Sequence, residues 1–175
     1  TPLGRWVARR ETVEAPEENF ESEFLVAHER LTASGLEHYE VSNYGAPQRH
    51  SRHNWAYWQR RPYGGLGPSA HEFDGATRRW NVEAFAAWES VAVRGDQTVA
   101  GSEQLDADQA HSERTYLGLR TSAGLTASPD VVAATSTWVE SGWATAREGV
   151  LRLTPRGWLR LDALVADLTM LRSRY

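Results

Sequence analysis

Two strand-like stretches near the C-terminus, residues 143–147 and 150–154, are separated by the dipeptide Glu148-Gly149. A two-residue connection that ends in glycine is typical of a β-hairpin, because glycine tolerates the positive φ angles that a tight hairpin turn requires. Thr154 and Pro155 follow at once, and they suit the N-cap and the first position of a helix. These residues therefore predict a hairpin that leads directly into a closing helix.

Helical patterns surround this hairpin. Residues 110–120 and 129–141 precede it, and in the second of these Val132, Ala133, Ser136 and Val139 are predicted to share a face. The closing helix has the apolar stripe Trp158, Leu161, Leu164, Val165 and Leu168. The order helix, helix, hairpin, helix predicts a small winged-helix-like α+β domain. Because the composition becomes polar and small around residues 95–101, we place its boundary so that it covers 99–175.

Residues 1–98 carry an α/β pattern. The first 15 residues lack periodicity and predict a loop, whereas 16–35 predict a helix and 38–44 a strand, which together make half of a β/α repeat. Glu40 and Asn43 are unusual in a buried strand and indicate a face that lines a functional cavity. Two further helices are predicted, one after a Ser51 cap over 52–61 and one after an Asn81 cap over 82–91, with Phe85 and Trp88 on the buried side of the second.

The composition excludes several classes of function. The net charge is −4, and the predicted second helix of the winged-helix unit lacks arginine, so nucleic-acid binding is not expected. The chain has no cysteine, which excludes disulfides and cysteine-bound zinc or iron–sulfur clusters within these residues. No apolar run approaches the roughly 20 residues that cross a bilayer, and no signal peptide is evident, so we expect a cytoplasmic protein.

The segment from His50 to Arg61 is dense in aromatic, imidazole and guanidinium groups. On a helix, His53 and Tyr57 share one face, and Asn54 and Trp58 form the adjacent pair. Such a surface suits a porphyrin, because aromatic rings cover its plane, an imidazole can bind its iron and arginine can pair with its propionates. From these residues alone the favoured interpretation is that the aromatic rings fill a core and His53 hydrogen-bonds a backbone group. A metal site built from His50, His53 and His71 is the weaker hypothesis, since no carboxylate stands at a matching position.

The run from Pro62 to Pro68 is too rich in glycine for an ordinary strand. Glycine in such a run indicates tight bending or close approach of the backbone to a ligand, so Gly65 and Gly67 are candidate ligand-lining positions. The run lacks the Gly-Lys-Ser/Thr ending of a phosphate loop.

Several of these stretches, taken in order, resemble one family. They are Glu40–Tyr44, Ser51–Asn54, Tyr57-Trp58, Tyr63–His71, Arg78-x-x-Asn81 and the later turn Leu153–Gly157. Their order and spacing resemble the C-terminal portion of HemW-type proteins, which are haem-handling radical-SAM relatives of the oxygen-independent coproporphyrinogen III oxidases. The resemblance covers essentially the whole chain.

The resemblance implies the C-terminal part of a partial β/α barrel over 1–98, followed by the winged-helix-like domain over 99–175. In the family the barrel binds a [4Fe–4S] cluster and S-adenosylmethionine through an N-terminal cysteine motif, which these residues lack, so cluster chemistry is not expected of this chain by itself. A His-Asn-x-x-Tyr-Trp motif associated with haem binding is matched by His53, Asn54, Tyr57 and Trp58, with His53 as a possible iron ligand. Arg78 and Asn81 join the candidate ligand-lining positions.

Three functions remain open from the sequence. The first is a haem chaperone that passes haem to an unidentified acceptor protein. The second is the substrate-side portion of a coproporphyrinogen III oxidase, and the third is a winged-helix interaction module without a small ligand.

Overall fold

A computed structural model of the chain describes residues 2–13 and 16–172. The chain begins with helix α1 (Pro2–Ala8), so the loop predicted over the first 15 residues is wrong in this part. None of the residues of α1 is buried, and a helix without a buried face leaves no apolar periodicity for a sequence pattern to reveal. Residues 9–13 contain no helix or strand, as predicted, and positions 1, 14 and 15 lie outside the described residues.

Helix α2 (Glu17–Ala33) agrees with the prediction and ends before Gly35, whose φ angle is +88°. The single strand predicted over 38–44 is wrong, because the chain turns back there. Strand β1 (Glu37–Glu40) pairs antiparallel with β2 (Asn43–Gly45), with His38 opposite Tyr44. The turn is fixed by the carboxylate of Glu40, which accepts a hydrogen bond of 3.0 Å from the backbone N–H of Ser42.

A short helix and a three-stranded antiparallel sheet follow. Helix α3 (Arg52–Trp58) is capped as predicted, since the Ser51 hydroxyl accepts from the backbone N–H of Asn54 at 3.2 Å. The sheet has the order β3 (His71–Phe73), β4 (Thr77–Asn81), β5 (Val99–Gln104), and helix α4 (Phe85–Val93) lies between its last two strands in the chain.

Two predictions about α4 are wrong. Its N-cap is Ala84, and Asn81 is instead the last residue of β4, where pairing with β5 holds the backbone extended. Phe85 is 62% exposed and does not lie on a buried side. Trp88 is partly buried.

The C-terminal unit has the predicted winged-helix order with one additional strand. Helix α5 (Ala107–Arg120) is followed by β6 (Leu125–Thr126), α6 (Pro129–Ala134), α7 (Ser136–Glu140), β7 (Ala144–Arg147), β8 (Val150–Leu153), α8 (Pro155–Trp158) and α9 (Leu161–Arg172). The strands form an antiparallel sheet in the order β6, β8, β7. The hairpin turn is confirmed, with φ angles of +54° at Glu148 and +73° at Gly149. Thr154 caps α8 by accepting from the backbone N–H of Gly157 at 3.2 Å.

The helix predicted over 129–141 is broken at Thr135, and its predicted apolar face is wrong. Thr135 and Trp138 are the buried side chains, whereas Ala133, Ser136 and Val139 are exposed. The break at Thr135 resets the helical phase, so a single 3.6-residue period across the whole stretch assigns the wrong side to the core.

The main apolar core belongs to the C-terminal unit. Its fully buried members include Leu119 and Leu151, and the predicted stripe of α8 and α9 packs around them. The N–H of Trp158 donates to the carbonyl of Leu119 at 3.0 Å, so the indole is buried without losing its hydrogen bond.

Backbone contacts join the two predicted domains. The N–H of Ser122 donates to the carbonyl of Tyr39 at 3.0 Å, and the N–H of Val41 donates to the carbonyl of Arg120 at 3.2 Å. Strand β5 lies beyond the predicted boundary at residue 98 and pairs with β4 on the other side of it. The boundary stays a prediction. Within residues 2–13 and 16–172, no helix is both long and apolar enough to cross a membrane.

Candidate functional site

One face of α3 carries an exposed imidazole that lies on an aromatic cluster. His53 packs edge-on against Tyr57 with ring centroids 4.8 Å apart, and Tyr57 contacts Tyr63 at 4.2 Å. Neither ring nitrogen of His53 makes a hydrogen bond within the described part of the chain. Burial raises the pKa of Tyr63, and the neighbouring Tyr57 raises it further, so its phenol stays protonated near neutral pH. This face therefore offers an accessible imidazole above neutral aromatic rings.

The adjacent face of α3 carries the other two motif residues. The guanidinium of Arg120 lies 4.4 Å from the ring centroid of Trp58, close enough for a cation–π contact. The indole N–H of Trp58 is buried and has no hydrogen-bond partner within the described residues. Asn54 is partly buried one turn before Trp58. The structure thus places the four motif residues as the two pairs that helical spacing predicts.

His50 does not join His53. Its ring stacks on Tyr39 at 4.3 Å, its Nε2 lies 2.6 Å from Glu37, and its Nδ1 accepts from the indole N–H of Trp55 at 3.3 Å. His71 lies beside Trp80 instead. Within the described ranges, no three histidine or acidic side chains are grouped closely enough to hold a metal ion.

Glu40 is a completely buried carboxylate. Its Oε1 accepts from the side chain of Asn43 and from the backbone N–H of Ser42, and its Oε2 lies 3.1 Å from Nε of Arg120. Neither of these two atoms has a hydrogen bond within the described residues, so the contact is an ion pair, and Arg120 in turn covers the ring of Trp58. The predicted ligand-lining role of Glu40 and Asn43 stays a prediction, while the structure gives both side chains partners within the chain.

The glycine run makes the close backbone approach that its composition indicates, and the approach is to the chain itself. A Cβ atom on Gly65 would lie 2.7 Å from the carbonyl oxygen of His71. The side-chain amide of Asn81 donates to the carbonyls of Gly65 and Gly67 at 3.3 and 2.9 Å, and its oxygen accepts from the hydroxyl of Thr98 at 3.1 Å. Asn81 therefore fixes the shape of this run, and ligand contact by the two glycines stays a prediction.

Arg78 lies in a charged cluster around Glu113 of α5. Both Arg78 and Arg60 form ion pairs with this carboxylate, Arg60 at 2.6 Å, and both guanidinium groups lie over the ring of Phe73, at 5.8 and 5.2 Å. Arg78 also lies 4.0 Å from Glu103. This cluster ties α3, the β3–β4–β5 sheet and α5 together.

A cleft of about 550 Å³ opens between the C-terminal end of α3, one side of α5 and β6. The residues that line it include Trp58, Arg60, His111, Arg114, Gly118 and Leu125. Of the predicted site residues, only Trp58 lies in it. His111 and Arg114 are not among the predicted site residues, because their only signal in the sequence is a spacing of three, which is common on any helix surface.

Relatives that are similar in sequence over most of this chain share one name. The heme chaperone HemW of Mycobacterium tuberculosis is 34% identical over 175 residues, which is 96% of this chain and 44% of that protein. The heme chaperone HemW of Synechocystis is 33% identical over 135 residues, which is 72% of this chain and 31% of that protein. The chain thus spans less than half the length of these relatives. No protein-family model matches it.

Among solved structures, the coproporphyrinogen III oxidase HemN of Escherichia coli, a radical SAM enzyme, superimposes with a TM-score of 0.63. The match covers 94% of this chain and 44% of that one at 14% identity, so it concerns the fold alone. It confirms the predicted fold class, an α/β C-terminal portion of the radical-SAM fold. The chain therefore belongs to the HemW-type family of radical SAM proteins, and it corresponds to their C-terminal portion.

Proposed function

We propose that the protein containing this chain is a haem chaperone, which binds haem and passes it to an acceptor protein in the cytoplasm. The observation that carries the proposal is the imidazole of His53, which is exposed and seated on Tyr57 at 4.8 Å. The relatives that are similar over most of this chain are named heme chaperones.

The residues of α3 fit a haem. A neutral imidazole nitrogen is a good iron ligand, and His53 has both nitrogens without a hydrogen-bond partner in the described part of the chain. The ring of Tyr57 packs against the imidazole of His53, and Trp58 offers an aromatic surface on the adjacent face of α3. Asn54 is partly buried one turn before Trp58, and its amide would be available to orient a ligand.

The residues do not fit an iron–sulfur cluster. The 175 residues contain no cysteine, and cysteine thiolates are the usual ligands of such clusters. A [4Fe–4S] cluster and S-adenosylmethionine would therefore be held by parts of the full-length protein outside this chain.

The proposal is tested by titrating haem into the full-length gene product and its His53→Ala variant. We expect the variant to bind haem at least about tenfold more weakly and with a shifted absorption spectrum, because an iron ligand is lost. His71→Ala removes another exposed imidazole and should leave both the affinity and the spectrum unchanged.

Melting curves separate this result from a loss of folding. If His53→Ala melts like the wild type and still binds haem with the same affinity and spectrum, His53 is not a ligand. Turnover of coproporphyrinogen III by the full-length protein, without stable haem binding, would contradict the chaperone function itself.

A further inference from the structure

We propose that the cleft beside Trp58 binds the carboxylate-bearing edge of a porphyrin, with Arg114 as the group that pairs with a propionate. The inference rests on the proposed function for the identity of the ligand. It rests on the cleft for the place of binding, and the cleft is lined by Trp58, on the face of α3 adjacent to the His53–Tyr57 pair.

The shape of the cleft follows from the spacing along α5. His111, Thr115 and Gly118 are four and three residues apart and therefore lie on one side of the helix, with Arg114 beside them at the rim. Gly118 has no side chain, and a Cβ atom there would lie 3.3 Å from Leu125 and 3.4 Å from the carbonyl oxygen of Gly124, so the glycine lets residues 124–125 lie close against α5. Leu125 of β6 adds an apolar contact at the far end.

The ionisable side chains that line the cleft are all basic. Arg60, Arg114 and His111 lie along it, and no aspartate or glutamate does. The whole chain has a net charge of −4, so this local excess of cations does not follow from its composition. A cleft that collects cations in an acidic chain favours an anionic ligand.

The two arginines differ in what they can offer. Arg60 is already paired with Glu113 at 2.6 Å, a carboxylate that it shares with Arg78. Arg114 is exposed and has no ion pair within the described residues. A guanidinium binds a carboxylate through two parallel hydrogen bonds, so Arg114 is the residue suited to a propionate.

The apolar residues of the cleft favour a flat ligand over a compact anion. One side of the Trp58 ring is covered by Arg120, whose guanidinium is held by the buried carboxylate of Glu40. These contacts cover that side of the indole, and Trp58 and Leu125 are the large apolar side chains in the lining of the cleft. A conjugated ring that carries carboxylates at its edge matches an apolar wall with a cationic rim.

The test uses metal-free coproporphyrin III as the probe, because it carries propionates and lacks the iron that His53 would bind. Binding to the full-length gene product is followed by porphyrin fluorescence. We expect Arg114→Gln to weaken binding about tenfold, since one charge-assisted pair is lost. Arg156→Gln, a change of the same kind at an exposed arginine outside the cleft, should have no effect, and His53→Ala should have little.

The methyl ester of the same porphyrin provides a second measurement. It retains the ring and lacks the negative charges, so it should bind weakly to the wild type and equally weakly to Arg114→Gln. Equal affinity for acid and ester, or an Arg114→Gln variant that binds the acid like the wild type, would overturn the inference. The absence of any binding of metal-free porphyrin would also overturn the inference. In that case, haem binding that depends on His53 would still support the proposed function.

Discussion

At the scale of single residues, Glu40 is the position where a small change has the largest expected cost. Its carboxylate is 0% exposed and is shared by Arg120, Asn43 and the turn between β1 and β2. We expect Glu40→Gln to lower the free energy of unfolding by roughly 3 kcal/mol, because Arg120 loses its counter-charge in a buried place. Chemical denaturation measures this, with Glu140→Gln at an exposed glutamate as the control. Equal stability of the two variants would show that the pair contributes little.

The second residue-scale prediction concerns pH. Burial lowers the pKa of His38 from its ordinary value of 6.5, and the neighbouring His28 also lowers it, whereas the hydrogen bond to the Val41 carbonyl and the charge of Glu40 oppose the shift. The folded protein thus favours the neutral imidazole, which contacts Tyr44 and Trp158. This stabilisation is complete above pH 6.5 and is lost as the pH falls from there through the lowered pKa.

Melting temperatures should therefore fall as the pH is lowered from about 7 to about 5, and His38→Gln should reduce the slope of that fall. His71→Gln, which changes an exposed histidine, should retain the wild-type slope. A His38→Gln variant with the wild-type slope would assign the pH dependence to other groups.

At the scale of elements, the contact between α8 and the residue before β7 depends on Gly157. A Cβ atom there would overlap the carbonyl oxygen of Trp143. Because that oxygen belongs to backbone and also accepts a hydrogen bond from Thr154, it cannot move aside easily. We expect Gly157→Ala to destabilise the protein by about 3 kcal/mol, as measured by thermal or chemical denaturation.

Gly64→Ala is the matched control for this change. A Cβ atom on Gly64 meets no atom within 4 Å, and its φ angle is not positive, so the variant should melt like the wild type. Similar melting temperatures for the two variants would mean that α8 shifts to accommodate the methyl group.

At the scale of the whole molecule, the two predicted domains are joined too closely for the first to be stable alone. Truncation after residue 98 removes β5 from β4, the backbone bonds between Tyr39 and Ser122, and the contact of Trp158 with His38. An unpaired strand edge promotes association. We expect the 1–98 fragment to be polydisperse in size-exclusion chromatography with light scattering. A monodisperse fragment with a cooperative melting transition would contradict this.

The sequence determined the elements whose signals are local. The hairpin turn, the caps at Ser51 and Thr154, the end of α2 and the pairing of motif residues on α3 depend on residues within a few positions of one another. Short-range hydrogen bonds and backbone torsions decide such features, so the order of residues is enough to predict them. The family resemblance rests on the same local stretches.

Only the tertiary structure decided which side chains meet across the chain. The ion pair of Glu40 with Arg120, the buried side of the broken helix α6–α7, and the cleft that brings His111 and Arg114 beside Trp58 all depend on packing between distant elements. Periodicity shows that a helix has an apolar side, and it does not show which element covers that side or which polar groups the packing brings together. The pairing of residues along α3 was therefore predictable, whereas the partner across the cleft was not.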